Sequence, residues 1–202
     1  IDDIDAAIAF AADLGARRIE VACVQFYGWA LANRAALLPS RDQVTRAKSA
    51  VAEARRTYAG CMTIDFVPPD YYADYPKACM GGWGSTGINI APDGTALPCH
   101  AAATIPGLRF DRVTDRSLAE IWYEGSAFNA FRGHEWMQEP CRSCARRDRD
   151  HGGCRCQAMA LASDPHAADP VCYHAPARPI VDHIISEQGE VSPQFIHRAQ
   201  AR

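Results

Sequence analysis

Several features that mark membrane, nucleic-acid-binding or secreted proteins are missing from this chain of 202 residues. No apolar run approaches the roughly 20 residues that span a bilayer, so we expect no membrane partner. A net charge of −3 gives no reason to expect nucleic acid as a partner. The opening IDDIDAAIAF contains neither an initiator Met nor a basic segment before an apolar one. We therefore expect no signal peptide, a cytoplasmic location, and a chain that is an internal piece of a longer protein.

Cysteine, by contrast, is abundant. There are nine cysteines, and seven of them lie between positions 79 and 172. A secreted disulfide protein tends to have an even number, spread among short loops. The odd count and the crowding predict metal binding in a reducing compartment rather than disulfide bridges.

The first third of the chain has the pattern of an α/β fold. Apolar residues recur at helical spacing from Ile4 to Leu14, with Asp2 and Asp3 as candidate N-caps. Residues 17–26 and 61–67 read as strands, and residues 40–60 between them read as a helix that Ser40 and Gln43 open as a capping box. Strand, helix and strand in this order predict a βαβ unit with parallel strands.

Composition changes after Pro68 and Pro69. Residues 88–97 read as a hairpin around a Pro-Asp-Gly turn, and residues 117–132 as two short helices. Ser117 with Glu120 forms a capping box, and Ser126 is a candidate cap for the second helix. Residues 141–172 have too little apolar content to form a stable core of their own, which indicates a domain that bound metal stabilises. We expect domains at 1–67 and 68–178 and a tail at 179–202.

The cysteine spacing is specific. Fourteen residues separate Cys79 from Gly94, and four separate Gly94 from Cys99. Later come Cys141-x2-Cys144, Asp150, Cys154-x-Cys156 and finally Cys172. Thiolates select zinc, copper(I) or iron–sulfur clusters. Structural zinc sites use four ligands each, and seven cysteines are not a multiple of four. Two four-ligand clusters need eight ligands, so one of them must be a residue other than cysteine.

This spacing resembles the SPASM domain of radical-SAM maturases, whose pattern is Cys-x9–15-Gly-x4-Cys, then Cys-x2-Cys-x5-Cys-x3-Cys, then a last Cys. The chain departs from that pattern at Asp150, which stands where a cysteine is expected. This aspartate and the run CRSCARRDRDHGGCRCQA most resemble the PqqA peptide cyclases of pyrroloquinoline quinone biosynthesis. VACVQFYGWALANRAALLP is similar to the last part of the same family's barrel.

The resemblance implies two sets of ligands for two auxiliary clusters. The outer cluster would be held by Cys141, Cys144, Asp150 and Cys172. The inner cluster would be held by Cys79, Cys99, Cys154 and Cys156, the last because residues 80–98 contain no cysteine. One cluster is expected to be [4Fe–4S] and the other [2Fe–2S] or [4Fe–4S], since spacing does not decide between them.

The resemblance also implies a fold and an activity. The fold would be the C-terminal part of a partial (β/α)6 TIM-like barrel, followed by a small SPASM domain with a hairpin and short helices. The whole protein would use S-adenosylmethionine and a further [4Fe–4S] cluster to join a glutamate carbon to a tyrosine ring in the ribosomal precursor peptide PqqA. A PqqD-like peptide carrier and an external electron donor are implied partners.

The sequence lacks the Cys-x3-Cys-x2-Cys loop that binds the S-adenosylmethionine cluster. We therefore expect that loop in a missing N-terminal half, and we expect this chain alone to be inactive. Two alternatives stay open at this point. One is another SPASM maturase, of the thioether-forming type, and the other is a non-enzymatic zinc-binding module.

Several further residues have more than one interpretation. Gln25, Tyr27 and Trp29 lie at the carboxyl end of a barrel strand, where they would either line the cofactor site or pack the loop. Cys23 and Cys61 read as small buried hydrophobes in strands. His100 and His151 adjoin predicted ligands, as partners of the cluster sulfurs or as loop histidines. The arginines of the cluster loop read mostly as a solvated rim; they are Arg142, Arg146, Arg147, Arg149 and Arg155.

Overall fold

A computed structural model describes residues 1–187 and 195–197 and divides them into two compact units. The first unit comprises Ile1–Gln25, Trp29–Tyr72 and the described residues from Glu187 onward. The second comprises Phe26–Gly28 and Ala73–Ser186. Together they form a mixed α/β protein with two small sheets, and the described residues contain no closed barrel.

The first unit is built on the predicted βαβ arrangement. Strands β1 (Arg18–Ala22) and β2 (Thr63–Val67) pair in parallel, with Arg18 opposite Thr63. Helices α1 (Ile4–Asp13) and α4 (Arg41–Thr57) pack on this pair through a shared apolar core. Two shorter helices, α2 (Gly28–Ala32) and α3 (Arg34–Leu37), lie between β1 and α4 in the chain.

Helix α4 begins as the sequence predicts. The Ser40 hydroxyl accepts a hydrogen bond from the Gln43 amide, and the Gln43 side chain accepts one from the Ser40 amide. This capping box satisfies two of the amides that a helix start leaves without partners. At α1, Asp3 occupies the N-cap position but makes no capping hydrogen bond through its side chain.

The second unit contains the predicted hairpin and the first pair of helices. Strands β3 (Asn89–Ile90) and β4 (Ala96–Leu97) pair antiparallel around the Pro-Asp-Gly turn. Helix α5 (Leu118–Glu124) starts with the Ser117–Glu120 capping box. The prediction that Ser126 caps the next helix is wrong, because Gly125 takes the N-cap position of α6 (Ser126–Asn129). The Ser126 hydroxyl instead donates to the Arg109 carbonyl.

The region around Cys141–Cys172 holds more regular structure than the sequence indicated. It contains helices α7 (Arg147–Asp150) and α8 (Arg155–Ala162), and α9 (Arg178–Ser186) follows it. The described part of the expected tail is therefore partly helical, and residues 188–194 and 198–202 of that tail lie outside the described residues. Among the described helices, none has the length and apolar character needed to cross a bilayer.

Candidate iron–sulfur sites

The inner set of predicted ligands comes together in the second unit. Cys79 starts a single 3-10 turn (Cys79–Gly81), and Cys99 follows β4. Cys154 is the N-cap of α8, and Cys156 lies in its first turn, so the short Cys-x-Cys spacing spans a helix start. Cys99 and Cys156 are buried in an apolar cluster that also contains Trp83 and Phe131. Segments far apart in the sequence thus deliver four thiols to one buried place.

These four thiols form a closed ring of sulfur hydrogen bonds. Cys79 and Cys156 each lie within hydrogen-bonding reach of both Cys154 and Cys99, with a single S–H proton to share, and this raises the pKa values of Cys79 and Cys156. The pKa of Cys99 falls to about 2, chiefly because it accepts from Cys156 and then from Cys79. The pKa of Cys154 is likewise lowered well below its usual value by the same two donors. Four thiolates at this spacing would repel one another, so a bound cation or cluster is needed to deprotonate all four.

Backbone amides also converge on the cysteine sulfurs. In three cases the donor is the N–H two residues after the cysteine, and in one case it is the N–H three residues after it; such a bond stabilises an anionic sulfur. These pairs are Ala101 with Cys99, Arg146 with Cys144, Gln157 with Cys154, and His174 with Cys172. The Arg146 amide lies 3.4 Å from the Cys144 sulfur. Both predicted sets contain such pairs, so the local backbone is arranged for thiolates in each.

The outer set of predicted ligands lines a single pocket in the same unit. Cys141, Cys144, Asp150 and Cys172 all contribute to its wall, together with Pro76, Pro140 and His174. Burial raises the pKa of Cys141 to about 11. Burial also raises the pKa of Cys172, and the neighbouring negative charges of Asp150 and Cys144 add to that effect. The pocket therefore gathers three thiols and one carboxyl that favour a positively charged occupant.

Asp150 is a buried carboxylate with partners of its own. Its side chain accepts a hydrogen bond from the Gly152 amide at 3.2 Å and lies 3.3 Å from the Arg146 guanidinium. Helix α7 ends at this residue, and His151 after it takes a left-handed conformation with φ of 49°. This turn directs the chain from Asp150 of the outer set towards Cys154 of the inner set.

Tyr27 lies beside the inner set. Its hydroxyl is 2.9 Å from the His100 ring nitrogen Nε2, and its ring packs on the apolar cluster that contains Cys99 and Cys156. Burial raises the pKa of Tyr27 to about 12, and the charges of the inner cysteines add to the rise. His100 therefore has a phenol partner, whereas His151 stacks on the ring of His134.

The other two residues of the expected cofactor site belong to the first unit. The Gln25 side chain reaches the Cys23 carbonyl at 3.5 Å, and Trp29 is 41% exposed in a pocket with Asn33. In the described structure these contacts are local to the first unit.

The two cysteines outside the predicted sets differ from each other. Cys23 is buried just after β1, as expected. The prediction that Cys61 is buried in a strand is wrong, because β2 begins at Thr63 and Cys61 is exposed in the preceding turn. Residues 61 and 62, which the sequence predicted as the start of the strand, belong to the turn after α4.

Arg155 also departs from expectation. It is 1% exposed, so it is not part of a solvated rim. Its guanidinium donates to the carbonyls of Gly152 and Gly153 and to those of Pro165 and Ala167, and it lies 4.7 Å from the centre of the Trp136 ring. The exposed arginines of the loop are Arg142, Arg147 and Arg149, and Arg146 is half-buried.

The donor chemistry of both sets fits iron–sulfur clusters. Cysteine thiolates are the standard ligands of such clusters, and a carboxylate can replace one of them. Within residues 1–187 and 195–197, no group of three or more Cys, His, Asp or Glu side chains is arranged to hold a single metal ion. The fit therefore rests on which donors are brought together, on their burial and on the amides that face the sulfurs.

Comparison with known proteins agrees with this chemistry. Residues 79–145 match the SPASM family, described as an iron–sulfur cluster-binding domain. A protein of Ruegeria pomeroyi named PqqA peptide cyclase is 66% identical over 176 residues, which are 87% of this chain and 47% of that protein. Proteins of the same name from Rhizobium meliloti and Granulibacter bethesdensis are 60% and 54% identical, over 87% and 92% of this chain and 47% and 50% of their own lengths.

The chain spans about half the length of the curated relatives it matches. Identity this high over most of the chain establishes common descent and a common fold for the matched part. The chain is therefore a homologue of the PqqA peptide cyclases, and it contains a SPASM iron–sulfur domain.

Proposed function

We propose that this chain is the auxiliary-cluster portion of a radical-SAM oxidoreductase that acts on the PqqA peptide. The observation that carries the proposal is the sorting of eight side chains into two sets, each gathered in one place in the second unit. The name of the relatives supports the choice of peptide. In this proposal, the whole protein forms a glutamate–tyrosine carbon–carbon crosslink during pyrroloquinoline quinone biosynthesis.

In each set, the side chains have a definite role toward a bound cluster. Cys79, Cys99, Cys154 and Cys156 would hold the inner cluster, while Cys141, Cys144, Asp150 and Cys172 would hold the outer one. When bound, such clusters accept and donate single electrons at potentials set by ligand type, burial and hydrogen bonds. Amides two or three residues after four of the cysteines stabilise the anionic sulfurs.

The peptide reaction explains why an electron acceptor is useful. Joining a glutamate carbon to a tyrosine ring removes one hydrogen from each partner. After the glutamate carbon has lost a hydrogen atom and bonded to the ring, the ring regains aromaticity by losing one electron and one proton. The apolar shell around Cys99 and Cys156, with Trp83 and Phe131, keeps these two thiols of the inner set buried. A partly buried, thiolate-lined site is suited to holding a group that accepts that electron.

The remaining assignments concern the rest of the protein. We propose that residues 1–67 complete a partial (β/α)6 barrel, that 68–178 form the cluster domain, and that 179–202 are a C-terminal segment beginning within α9. The loop that binds S-adenosylmethionine would lie in residues absent from this sequence, and Gln25, Tyr27 and Trp29 would face that cofactor. A PqqD-like carrier and an external electron donor would be partners, in a cytoplasm that keeps the thiols reduced.

An assay of two chains tests this division of labour. The first is the present chain, and the second is the same chain extended at its N-terminus to the length of its relatives. After anaerobic reconstitution and reduction, we expect only the extended chain to release 5′-deoxyadenosine from S-adenosylmethionine. Only that chain should remove two hydrogens from the PqqA peptide, as measured by mass spectrometry. Turnover by the present chain, or an unmodified peptide with an active extended chain, would contradict the proposal.

A further inference from the structure

Asp169 is a buried carboxylate that belongs to neither set of predicted ligands. It is 1% exposed, and three donors converge on its side chain. Oδ2 accepts from the Cys154 amide at 2.6 Å, and Oδ1 accepts from the Gln157 side chain at 2.8 Å and from the Val171 amide at 3.0 Å. The carboxylate thus fixes the backbone of Cys154, at the start of α8, from outside the inner set.

The backbone of the same residue reaches the outer set. The Cys172 amide donates to the Asp169 carbonyl at 2.8 Å, and the Asp169 amide donates to the Gly152 carbonyl at 3.3 Å. Cys172 lines the pocket of the outer set, and Gly152 follows Asp150 by two residues. One residue therefore bonds directly to the amide of a predicted inner ligand and to the amide of a predicted outer ligand.

Close packing holds Asp169 in this position. A Cβ atom at Gly153 would lie 2.5 Å from the Cβ of Asp169, so only glycine permits the approach. The guanidinium of Arg155 then ties the segment before Asp169 to the glycine loop, through hydrogen bonds of 2.9 Å to Pro165 and 2.7 Å to Ala167. A side chain held this firmly is suited to orienting the ligands it touches, because its own geometry is fixed.

We infer that Asp169 is a positioning residue shared by the two cluster sites, which orients Cys154 in one and Cys172 in the other. The inference rests on the proposed function, since it presumes that both sets hold clusters. Its consequence is that one substitution outside both ligand sets weakens both clusters, because the side chain holds the Cys154 amide on the inner side and, on the outer side, the amide of Val171, the residue before Cys172. Partners that orient metal ligands typically contribute a factor of about 10 to 100 in metal affinity.

The test uses Asp169→Asn in the anaerobically reconstituted chain. An amide keeps the size of the carboxyl but turns an N–H group toward one of the three donors, and it removes a buried negative charge. We expect iron release to a chelator to become about 10-fold faster at both clusters. Both reduction potentials should shift to more positive values, because reduction adds negative charge near the lost carboxylate.

Two further variants keep the outcome decisive. Asp164→Asn makes the same change in the same segment at a side chain that is 45% exposed and contacts His166 rather than a residue of either ligand set, so it should leave both clusters unchanged. Gln157→Met removes one donor to Asp169 without touching either cysteine amide, and it should give a smaller change of the same sign at both clusters. If Asp169→Asn does not fold, Gln157→Met decides the question.

The possible results separate the inference from the proposed function. A wild-type chain that binds no iron and sulfide would overturn the proposed function, and the inference with it. A wild-type chain with two clusters, combined with an Asp169→Asn variant in which one cluster or neither is altered, would overturn the inference alone. Unchanged release and potentials in Gln157→Met would do the same where Asp169→Asn is unfolded.

Discussion

The carboxylate of Asp150 lies 3.3 Å from the guanidinium of Arg146, the N-cap residue of α7 four positions earlier. Asp150 is 7% exposed, and the Arg146 guanidinium carbon in turn sits 3.9 Å from the centre of the Tyr75 ring. The pair therefore holds the carboxylate in place on the wall of the pocket that Cys141, Cys144 and Cys172 also line. An ion pair and a cluster ligand are compatible here, because a carboxylate has four lone-pair sites.

The first prediction concerns this carboxylate. Asp150→Ala should alter the EPR signal of the outer cluster or lower its iron occupancy, because it removes one of four ligands. Asp150→Cys should retain a cluster with a shifted potential, since a thiolate is a softer and more strongly donating ligand. Asp148→Ala is the control, because Asp148 is an aspartate two residues before Asp150 whose side chain is 68% exposed. Identical spectra and potentials in wild type and both Asp150 variants would reduce Asp150 to a partner of Arg146.

The second prediction concerns the eighth ligand. Cys156→Ala should disturb the inner cluster, because the Cys156 thiol closes the sulfur ring with Cys99 and Cys154. Cys23→Ala and Cys61→Ala are matched controls that change the same side chain outside both sets, and they should keep full iron and sulfide content. EPR and Mössbauer spectra check all three variants. An inner cluster that survives Cys156→Ala unaltered would exclude Cys156 as a ligand.

The third prediction concerns the buried arginine. Arg155→Met keeps much of the side-chain volume but leaves the carbonyls of Gly152, Pro165 and Ala167 without their donor. Unsatisfied buried polar groups cost about 1–3 kcal/mol each, so we expect a loss on the order of 3 kcal/mol in the stability of the second unit. Hydrogen exchange of the α8 amides measures this loss. Arg149→Met, at an exposed position of the same loop, should change the stability by less than about 0.5 kcal/mol, and equal effects of the two variants would contradict the role given to Arg155.

The fourth prediction separates a capping serine from one that does not cap. Ser117→Ala should lower the free energy of unfolding by about 1 kcal/mol, because it removes the hydroxyl of a complete capping box. Ser126→Ala should cost less than about 0.5 kcal/mol, since its hydroxyl makes one hydrogen bond at an exposed position. Urea denaturation of the two variants compares the values. A larger loss for Ser126→Ala would mean that the helix starts are wrongly assigned.

Local patterns in the sequence predicted much of the fold. The βαβ unit, both complete capping boxes and the hairpin depend on residues close together in the chain, so their spacing carries the information. The same holds for the cysteine motif, whose members the structure gathers into the two sets that the resemblance implied. Whether those sets bind clusters as assigned stays a prediction.

The features that the sequence did not predict depend on contacts between residues far apart in the chain. Arg155 stands among four exposed or half-buried arginines, and only the folded loop shows that its charge meets backbone carbonyls rather than water. Asp169, in an Asp-Pro dipeptide, looks like an ordinary loop residue until Cys154 and Gln157 are placed beside it. Helix α8 was missed because the glycines and cysteines before it read as a loop, although Gln157–Ala162 are mostly good helix formers.

The most direct test is native mass spectrometry of the anaerobically reconstituted chain, with iron and inorganic sulfide counted on the same sample. The account predicts two clusters per chain, with about six to eight iron atoms in total and a matching amount of sulfide. It also predicts that Cys79→Ala and Cys141→Ala each affect a different one of the two clusters. A colourless chain that binds zinc without sulfide, or a chain that holds a single cluster affected by both variants, would contradict the account.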